Sequence, residues 1–385
     1  MKIGWIGSRG IPVKYGGSEV FTEEISKKLT EMGFKIYVTC ESKRFYQDEY
    51  NGVIRLHTPS IEDKTITVPS INDVIATLYL LLKCPDIKFI YYMNPDAALG
   101  AAISKIFRKK VIFNTDGIEW KRPALRRKYF SVVWKVVSFI ATGYEKWMEW
   151  MAVRLSDVVI ADSRAIKIYL EQKYKARNVV YIPPGARELI NSDIPAEREQ
   201  EILKDFGLST GQYYLTVSRI VAENNIHREI EGFKRSKSDK KLVIIGNFNE
   251  KDRYNKYLLK LRDGDPKIAF LDAIYDKEML GVLRKNCYAY IHAYQVGGTN
   301  PSLLEQMLFQ KPIIAYDVPF SREVLQGGGI YFRDEDGLAS TIELLEKGEV
   351  DLKKIADWQA KRIEEEYNWD YVAKSYDTLF KRMAS

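Results

Sequence analysis

The chain has 385 residues, of which 46% are hydrophobic and 29% are charged, and its formal net charge is +7. This length exceeds that of one ordinary hydrophobic core and favours two domains, and the composition excludes a disordered or low-complexity protein. The three cysteines lie far apart and are odd in number, so the sequence predicts neither a disulfide framework nor a zinc site.

The first elements follow a strand–loop–helix–strand pattern. The apolar run Lys2–Ile6 predicts a strand, and residues 7–17 form a loop rich in glycine. Ser18 is a candidate N-cap of a helix that ends at Gly33, and residues 34–39 return as a strand. A βαβ unit of this kind predicts a parallel sheet.

Strands and helices alternate along the rest of the chain. The first half predicts, in order, helix 71–82, strand 89–93, helix 97–107, strand 111–114, strand 158–161, helix 164–173 and strand 179–182. Residues 183–210 are rich in proline and charge and are predicted to connect two domains. The second half predicts strand 213–217, helix 226–236, strand 241–245, helix 254–262, strand 268–271, helix 276–285, strand 289–292, helix 301–309, strand 312–316, helix 337–347 and a C-terminal helical pair.

We therefore expect two consecutive α/β domains, at residues 1–190 and 191–365, with a C-terminal helix at 366–385 that could pack back on the first domain. A ligand site is expected at the carboxyl ends of the strands, in a cleft. The segment MKIGWIGSRG is not a signal peptide, and no uncharged apolar run approaches the roughly 20 residues that span a bilayer. A cytoplasmic protein, with peripheral contact to the inner face of the cell membrane, fits these features.

The stretch VGGTNPSLLEQM joins a glycine pair to a helix start. Asn300 is a good N-cap and Pro301 a good first helical residue. The amides of Ser302 and Leu303 are predicted to be free and, with the helix dipole, to attract an anion. Glu305 lies one turn further, where its carboxylate could accept a ribose hydroxyl. The alternative is a turn before an ordinary helix with a surface glutamate.

Other loops carry weaker signals. Arg219 leaves strand 213–217, and its forked guanidinium suits a diphosphate. The loop at 7–17, with Arg9 and Lys14, lacks the G-x-G-x-x-G fingerprint and could contact phosphate or serve as a glycine turn. Two D-x-D patterns, Asp263–Asp265 and Asp334–Asp336, could hold a divalent metal but look like surface turns, so we predict no metal.

Residues 121–151 combine a basic start with many aromatic side chains. On one long helix, one face would be mainly apolar (Val133, Val136, Val137, Ile140, Tyr144, Trp147, Met148 and Met151). The other would be polar (Ser131, Lys135, Ser138, Thr142, Glu145 and Glu149). Such a helix, with Arg126, Arg127, Lys128 and Trp134, could lie in a membrane interface or pack on its own domain. Nucleic acid is not predicted as a partner, because neither half of the chain is strongly basic throughout.

Taken together, these segments resemble the GT-B glycosyltransferases, and specifically the retaining family 4 enzymes that use nucleotide sugars. The resemblance rests on GGSEVFTEEISKKL, on VSRIVAENN, and on FLDAIYDKEMLGVLRKNCYAYIHAY followed by GGTNPSLLEQMLFQKPIIAYD. The combination of IGSRGIP, DGIEWKR and VGGTNPSLLE is similar to a bacterial and archaeal branch often described as rhamnosyltransferases. It implies the GT-B fold, in which two Rossmann-like domains face a central cleft.

The resemblance also implies roles for individual residues. Glu305 would bind the donor ribose and Arg219 its diphosphate, while Gly16 and Gly17 would approach the β-phosphate from the opposite domain. The remaining donor contacts would come from the last stretch and its neighbours (Asn224, Gly297, Gly298, Thr299, Asn300, Ser302 and Leu303). Asp116 stands where many relatives keep a histidine beside the reacting sugar, and Glu119 is a second candidate catalytic carboxylate.

Three positions depart from the family pattern. The E-x7-E motif would place an acid at position 297, which is Gly297. The lysine expected five residues after Arg219 is Asn224, and the candidates to offset this loss of positive charge are Arg228, Arg9 and Lys14. Asp116 replaces the histidine.

The implied function is transfer of a sugar from a UDP-, GDP- or dTDP-linked donor to a glycan or a polyprenyl-diphosphate-linked acceptor, in polysaccharide assembly. The resemblance implies a retaining, metal-independent hexosyltransferase without a cofactor. The alternatives are a sugar-nucleotide 2-epimerase and a non-catalytic nucleotide-sugar-binding protein. An NAD-dependent dehydrogenase is disfavoured by the missing fingerprint.

Overall fold

The computed structural model describes residues 1–13, 16–61, 68–130, 132–187, 189 and 194–385. The chain forms two compact units. The first comprises Met1–Pro123, Val136–Gly185 and Glu366–Ser385, and the second comprises Ala124–Lys135 and Ala186–Glu365. Lys14 and the predicted boundary at residues 190 and 191 lie outside the described residues.

The first unit is built on a sheet of eight described strands, ordered β3-β4-β2-β1-β5-β6-β7-β8. They are β1 (Lys2–Ile6), β2 (Lys35–Ser42), β3 (Tyr46–Tyr50), β4 (Val53–Pro59), β5 (Phe89–Tyr92), β6 (Lys110–Thr115), β7 (Val158–Ala161) and β8 (Val179–Tyr181). Only β3, among these strands, runs antiparallel to its neighbour. The strand order changes direction between β1 and β5, so the loops after these two strands diverge at the carboxyl edge of the sheet.

Helices cover both faces of such parallel sheets. Those in the first half of the chain are α1 (Gly17–Glu31), α2 (Val68–Lys83), α3 (Ala98–Ile106), α4 (Lys121–Arg126), α5 (Val132–Leu155) and α6 (Arg164–Tyr174).

The second unit has a sheet of six described parallel strands, ordered β11-β10-β9-β12-β13-β14. They are β9 (Tyr213–Val217), β10 (Lys241–Ile245), β11 (Ile268–Leu271), β12 (Ala289–His292), β13 (Ile313–Tyr316) and β14 (Ile330–Phe332). The remaining helices are α7 (Ala196–Asp205), α8 (Ile226–Ser236), α9 (Arg253–Arg262), α10 (Lys277–Asn286), α11 (Pro301–Met307), α12 (Pro319–Leu325), α13 (Glu335–Glu346), α14 (Leu352–Glu365) and α15 (Trp369–Ala384). This is the strand order of an open Rossmann sheet, and its direction changes between β9 and β12.

The predicted fold class is confirmed, because the chain folds into two Rossmann-like α/β units with parallel sheets. Six predicted strands match the observed bounds residue for residue, since each is a short run of β-branched and aromatic residues (2–6, 158–161, 213–217, 241–245, 268–271 and 289–292). Helix α1 corrects the predicted N-cap: Gly16, not Ser18, is the capping residue. The hairpin β3–β4, helix α7, helix α12 and strand β14 were not predicted.

The segment 121–151 is not one helix, because a 3-10 turn at Arg127–Tyr129 separates α4 from α5. The predicted faces of α5 are also wrong. Ser138 and Glu149, assigned to the polar face, are buried, whereas Val133 and Ile140, assigned to the apolar face, are exposed. The buried polar groups are satisfied: the hydroxyl of Ser138 donates to the carbonyl of Pro123 at 2.8 Å, and three side chains of α6 donate to Glu149.

Helix α15 belongs to the core of the first unit. The indole of Trp5 on β1 stacks on Tyr91 of β5 with 3.7 Å between ring centroids, and the hydroxyls of Tyr91 and Tyr376 lie 3.0 Å apart. Phe380, one turn further along α15, is fully buried. The C-terminal 20 residues therefore complete a core that begins with the first strand.

Replacing Phe380 with Ala should destabilise the first unit by about 3 to 5 kcal/mol, because a buried aromatic side chain leaves a cavity that relaxes only in part. Tyr371 lies on the same helix but is exposed, so Tyr371→Ala is the matched control, with an expected change within about 0.5 kcal/mol. Urea unfolding followed by tryptophan fluorescence measures both. Equal unfolding midpoints for the two variants would contradict the assigned role of α15.

Candidate functional site

The carboxyl ends of β9 and β12 meet where the strand order of the second unit changes direction. The start of the loop after β12 is fixed by two side chains, one from Asn225 just before α8 and one from Glu229 on α8. The amide of Ala293 donates to Glu229 at 3.3 Å, and its carbonyl accepts from the side-chain amide of Asn225 at 2.9 Å. Burial raises the pKa of Glu229 to about 8. The edge of the sheet thus presents two rigidly connected loops.

Helix α11 begins as predicted, with Asn300 as the N-cap and Pro301 as its first residue. The predicted free amides of Ser302 and Leu303 are wrong. The amide of Ser302 donates to the side chain of Asn300 at 2.9 Å, and that of Leu303 donates to the Asn300 carbonyl at 3.0 Å. Asn300, as the N-cap, therefore occupies the N–H groups that an anion would otherwise bind.

The glycine pair before the helix supplies different donors. Gly297 and Gly298 are buried, and within the described residues no hydrogen-bond acceptor meets either amide. Buried backbone amides nearly always have a partner, so unpaired ones at the carboxyl edge of a sheet are suited to a ligand oxygen. Thr299, also predicted as a donor contact, is buried beside them.

Gly297 has a backbone conformation that excludes the acid expected at this position. Its φ is +130°, and a Cβ there would lie 2.3 Å from the hydroxyl oxygen of Tyr294. Only glycine adopts this conformation readily, and the tyrosine already fills the direction in which a side chain would point. The local structure therefore explains why this chain has glycine rather than an acidic residue at position 297.

Glu305 lies on the first turns of α11 and forms an ion pair with Arg284 of α10, with 3.0 Å between its Oε2 and the Nη2 of the arginine. The arginine side chain has no exposed surface, and 12% of the glutamate side chain is exposed. Burial raises the pKa of Glu305, and the positive charges of Arg284, Arg187 and Lys277 oppose that rise. Sequence reasoning missed Arg284, since a single arginine in a charged helix carries no motif.

The same arginine connects α11 to β9. Its Nη2 donates to the hydroxyl of Ser302 at 2.7 Å, and that hydroxyl donates to the carbonyl of Val217 at 2.9 Å. The hydroxyl of Tyr290 on β12 donates to the same carbonyl at 3.1 Å. Val217 is the last residue of β9, so these bonds fix the strand end from which Arg219 leaves.

Arg219 is exposed, and no residue that the structure describes pairs with its guanidinium. Asn224 does not face outward as a donor contact would: its side chain is buried, and its Nδ2 donates to the carbonyl of Arg219 at 2.7 Å. It supports Arg219 instead. Arg228, a candidate replacement for the missing lysine, is paired with Glu335 at 2.9 Å.

Arg126, predicted to meet a membrane or acceptor, belongs to the second unit. Its guanidinium binds both oxygens of Glu223, with 2.9 Å between Nε and Oε2, and Glu223 is fully buried. The carbonyl of Glu223 accepts the amide of Gln295 at 3.2 Å. The charge of Arg126 is thus balanced internally, and the pair supports the loop that leads to Gly297.

In the first unit the loop after β1 lies beside the end of β5, where the amide of Met93 donates to the carbonyl of Ile6 at 2.9 Å. A Cβ on Gly10, which has φ +120°, would lie 2.8 Å from the Cα of Cys40, so the loop requires glycine there. Gly16 and Gly17 are exposed at the N-terminus of α1. Lys14 of this loop lies outside the described residues.

Asp116 and Glu119 follow β6 at the same edge of the first sheet. Both are partly exposed, and Glu119 pairs with Arg122 at 2.7 Å. The neighbouring Trp120 is fixed by its indole N–H, which donates to Tyr169 at 2.8 Å, and by the Lys146 ammonium 4.4 Å from its ring. The motif DGIEWKR is therefore anchored through its tryptophan.

Two further carboxyl groups of the first unit were not anticipated. Burial raises the pKa of Asp96, and burial together with the neighbouring Asp96 raises the pKa of Glu145 to about 9. Burial and a neighbouring like charge both disfavour the ionised form of a carboxyl group, so each of the two opposes ionisation of the other. Glu145 was assigned to a polar surface face, and only the packing of α5 reveals its position.

The N-terminal half of α5 exposes apolar side chains. Phe139 is 70% exposed, Ile140 66% and Trp134 60%. Lys128 is exposed and its ammonium lies 4.8 Å from the ring of Tyr129, while Arg127 is partly exposed. Among the described helices, none is long and apolar enough to cross a membrane.

The D-x-D patterns have local structural roles. Asp334 caps α13 by accepting the amide of Gly337 at 2.8 Å, Asp336 pairs with Arg235, and Asp265 accepts the amide of Lys267. Within the described ranges no group of three or more His, Cys, Asp or Glu side chains is placed to hold a metal ion.

Two family models match the chain, one to each half. Residues 1–187 match "Domain of unknown function (DUF1972)", and residues 198–378 match "Glycosyl transferases group 1". An uncharacterised glycosyltransferase of Methanocaldococcus jannaschii is 24% identical over 96% of both chains. The O-antigen chain mannosyltransferase RfbU of Salmonella typhimurium is 25% identical over 52% of this chain and 53% of its own.

Solved structures share the fold at low identity. A sucrose-phosphate synthase of Thermosynechococcus elongatus has a TM-score of 0.79 and 16% identity over the whole of both chains. Anabaena HepE in complex with UDP-glucose has a TM-score of 0.72 and 17% identity over 99% of this chain and 100% of its own. The chain has the GT-B fold of these neighbours, and the match of residues 198–378 to the glycosyl transferases of group 1 supports a glycosyltransferase activity.

Proposed function

We propose that the second unit binds a nucleotide-diphosphate sugar and that the protein transfers the sugar to a glycan or lipid-linked acceptor. The observation that carries this proposal is the set of groups at the change of strand order: a carboxylate on α11, two buried glycine amides that no described residue binds, and the exposed Arg219. A carboxylate accepts ribose hydroxyls, whereas amides and a guanidinium suit phosphate oxygens.

The relatives support the chemical class of the ligands. HepE binds UDP and UDP-glucose, and RfbU is described as an O-antigen chain mannosyltransferase. We therefore propose a hexosyltransferase of the family 4 type that acts in the assembly of a surface polysaccharide. Because IGSRGIP, DGIEWKR and VGGTNPSLLE are similar to the rhamnosyltransferase-like branch, we also propose that the protein belongs to that branch of family 4.

The reaction needs stabilisation of the departing nucleoside diphosphate, whose charge grows as the glycosidic bond breaks. Arg219 and the amides of Gly297 and Gly298 are the groups that would supply it, without a metal or cofactor. Retention follows if the acceptor hydroxyl attacks from the leaving-group side and passes its proton to a donor phosphate oxygen. Asp116 and Glu119 would then orient the sugar or acceptor.

Binding of a donor is the first test. Thermal-shift and calorimetric titrations with UDP-, GDP- and dTDP-sugars should identify at least one ligand, because a ligand of the folded state raises its apparent stability. Arg219→Ala should weaken binding of that ligand by about 10- to 100-fold, the value of one charge-assisted contact of about 1.5 to 3 kcal/mol.

Arg253→Ala, at an exposed arginine of α9 in the same unit, is the matched control and should bind normally. Failure of every nucleotide sugar to bind would contradict the proposal. Incubation of the bound donor without acceptor separates the alternatives: rapid epimerisation indicates a 2-epimerase, and binding without turnover across an acceptor panel indicates a binding protein.

Restoring the family's acid should impair the site. Gly297→Glu is expected to weaken donor binding by at least about tenfold, because a side chain at φ +130° collides with Tyr294 and backbone strain of this kind costs about 1 to 3 kcal/mol. Gly264→Glu is the control, since Gly264 also has a positive φ but no atom lies within 4 Å of its Cβ position. Tighter binding by Gly297→Glu would show that the position can serve a sugar directly.

We further propose that the exposed apolar residues of α5, with Arg127, Lys128 and Lys135 nearby in sequence, lie on the cytoplasmic membrane face and bring the protein to a polyprenyl-diphosphate-linked acceptor. Apolar side chains that enter an interface gain burial, and basic residues are attracted to anionic lipids. Arg126 is left out of this surface because Glu223 balances its charge.

The triple variant Trp134→Ser, Phe139→Ser and Ile140→Ser should bind vesicles that contain anionic phospholipid at least about tenfold more weakly than the wild type. Ile106→Ser with Phe107→Ser removes exposed apolar area at the C-terminal end of α3 and serves as the control. Vesicle flotation measures all three proteins. Equal flotation of the triple variant and the wild type would contradict membrane contact through α5.

A further inference from the structure

Arg284 is a buried charged side chain near the proposed donor site whose guanidinium makes several hydrogen bonds. It lies on α10 and is completely buried, and four hydrogen bonds leave its two terminal nitrogens. Nη1 donates to the carbonyl of Ser302 at 3.1 Å and to Gln306 at 3.3 Å. Nη2 donates to the hydroxyl of Ser302 and to Glu305. All four acceptors belong to α11.

Burial of a guanidinium without exposed surface costs several kcal/mol, and a buried ion pair is often no more stabilising than apolar residues of the same volume. A contribution to folding stability is therefore a weak explanation for the presence of a buried arginine at position 284. What the arginine does achieve is geometric. It holds the carboxylate of Glu305 and the first turn of α11 in one fixed relation, and through Ser302 it reaches the end of β9.

The electrostatic role follows from the surroundings of Glu305. The charged groups that act on it are Arg284 and Lys277 of α10 and Arg187 of the segment after β8. Of these three, Arg284 is the one that the described contacts place in hydrogen-bond distance of it. A buried carboxyl group tends to hold its proton, and a protonated Glu305 would lose its capacity to accept two hydroxyl groups at once.

On the basis of the proposed function, we propose that Arg284 is a positioning residue of the donor site, which keeps Glu305 ionised and oriented so that its carboxylate can accept both ribose hydroxyls of the nucleotide. The arginine itself need not touch the ligand. It acts through Glu305 and through the Ser302 contact to Val217, which places Arg219 in the same rigid frame.

The test is the pH dependence of donor binding. The nucleotide sugar that the wild type binds in the screen above is titrated calorimetrically between about pH 5.5 and 8.5, a range in which its diphosphate does not change charge. Without Arg284 the pKa of Glu305 rises, so the carboxylate forms only at higher pH. Arg284→Met should bind at least about tenfold more weakly at the acid end, and its affinity should recover as the pH rises, with a midpoint at least about one pH unit above that of the wild type.

Three further variants isolate the cause. The pH profile of Glu305→Gln reports the effect of all other titrating groups on donor affinity and should lack this midpoint. The double variant Arg284→Met with Glu305→Gln should have the same pH profile as Glu305→Gln alone. Arg284→Lys restores a cation without the fork and should move the midpoint back towards the wild type. Circular dichroism and thermal unfolding establish that each variant is folded.

A uniform loss of affinity for Arg284→Met at every pH would overturn the proposal and leave a purely structural role, as would an unchanged affinity. If Arg284→Met does not fold, Arg284→Lys decides: a midpoint above that of the wild type supports the proposal, and an identical midpoint overturns it. Absence of wild-type binding to any nucleotide sugar overturns the proposed function and this inference together. Wild-type binding with a flat Arg284→Met profile overturns this inference alone.

Discussion

The arrangement of the second unit depends on a guanidinium group that water does not reach. Arg284 has its acceptors on one short helix, and that helix carries both the candidate ribose ligand and the loop that ends in Asn300. Through the hydroxyl of Ser302, the same contacts extend to the last carbonyl of β9. A displacement of Arg284 would therefore move Glu305 and the base of Arg219 together, because neighbouring elements share one set of hydrogen bonds.

The sheet topology explains why this set of contacts lies where a ligand can reach it. A parallel sheet exposes its loops at its two edges, and strands whose connections lead in opposite directions leave room between their loops. In the second unit these are β9 and β12, and in the first unit they are β1 and β5. Arg219, Gly297 and Gly298 follow the first pair, and the loop with Gly10 follows β1. In the second unit, the sheet topology therefore brings the loops with Arg219 and with Gly297 and Gly298 to the same edge, although these residues are far apart in sequence.

Much of the fold follows from local sequence, because central parallel strands are runs of β-branched and aromatic residues that are buried on both faces. The elements that escaped prediction lack this signal. Strand β3 is the charged, half-exposed edge segment YQDEY, and β14 has only three residues. The start of α1 depended on Gly16, which caps the helix with its backbone rather than with a side chain.

The candidate site divides in the same way. Asn300, Pro301, Arg219 and Glu305 could be found because turns, caps and strand ends have residue signatures. Tertiary contacts that no spacing encodes decided the rest. The amides of Ser302 and Leu303 were used by the cap, Asn224 turned inward under Arg219, and Glu149 on the supposed polar face of α5 met three donors from α6. Each of these errors arose where a polar group, of the backbone or of a side chain, found its partner inside the protein rather than in solvent.

The two departures from the family pattern in the second unit have a common electrostatic consequence. The pattern would place a carboxylate at position 297 and an ammonium at position 224, and this chain has Gly297 and Asn224. One negative and one positive charge are absent together, so the net charge around the donor is unchanged. Asn224 supports the carbonyl of Arg219 with its amide, and Gly297 contributes a backbone N–H in place of a side chain. Under the proposed function, the backbone amide of Gly297 and the guanidinium of Arg219, whose carbonyl Asn224 holds, would take over recognition at these two positions.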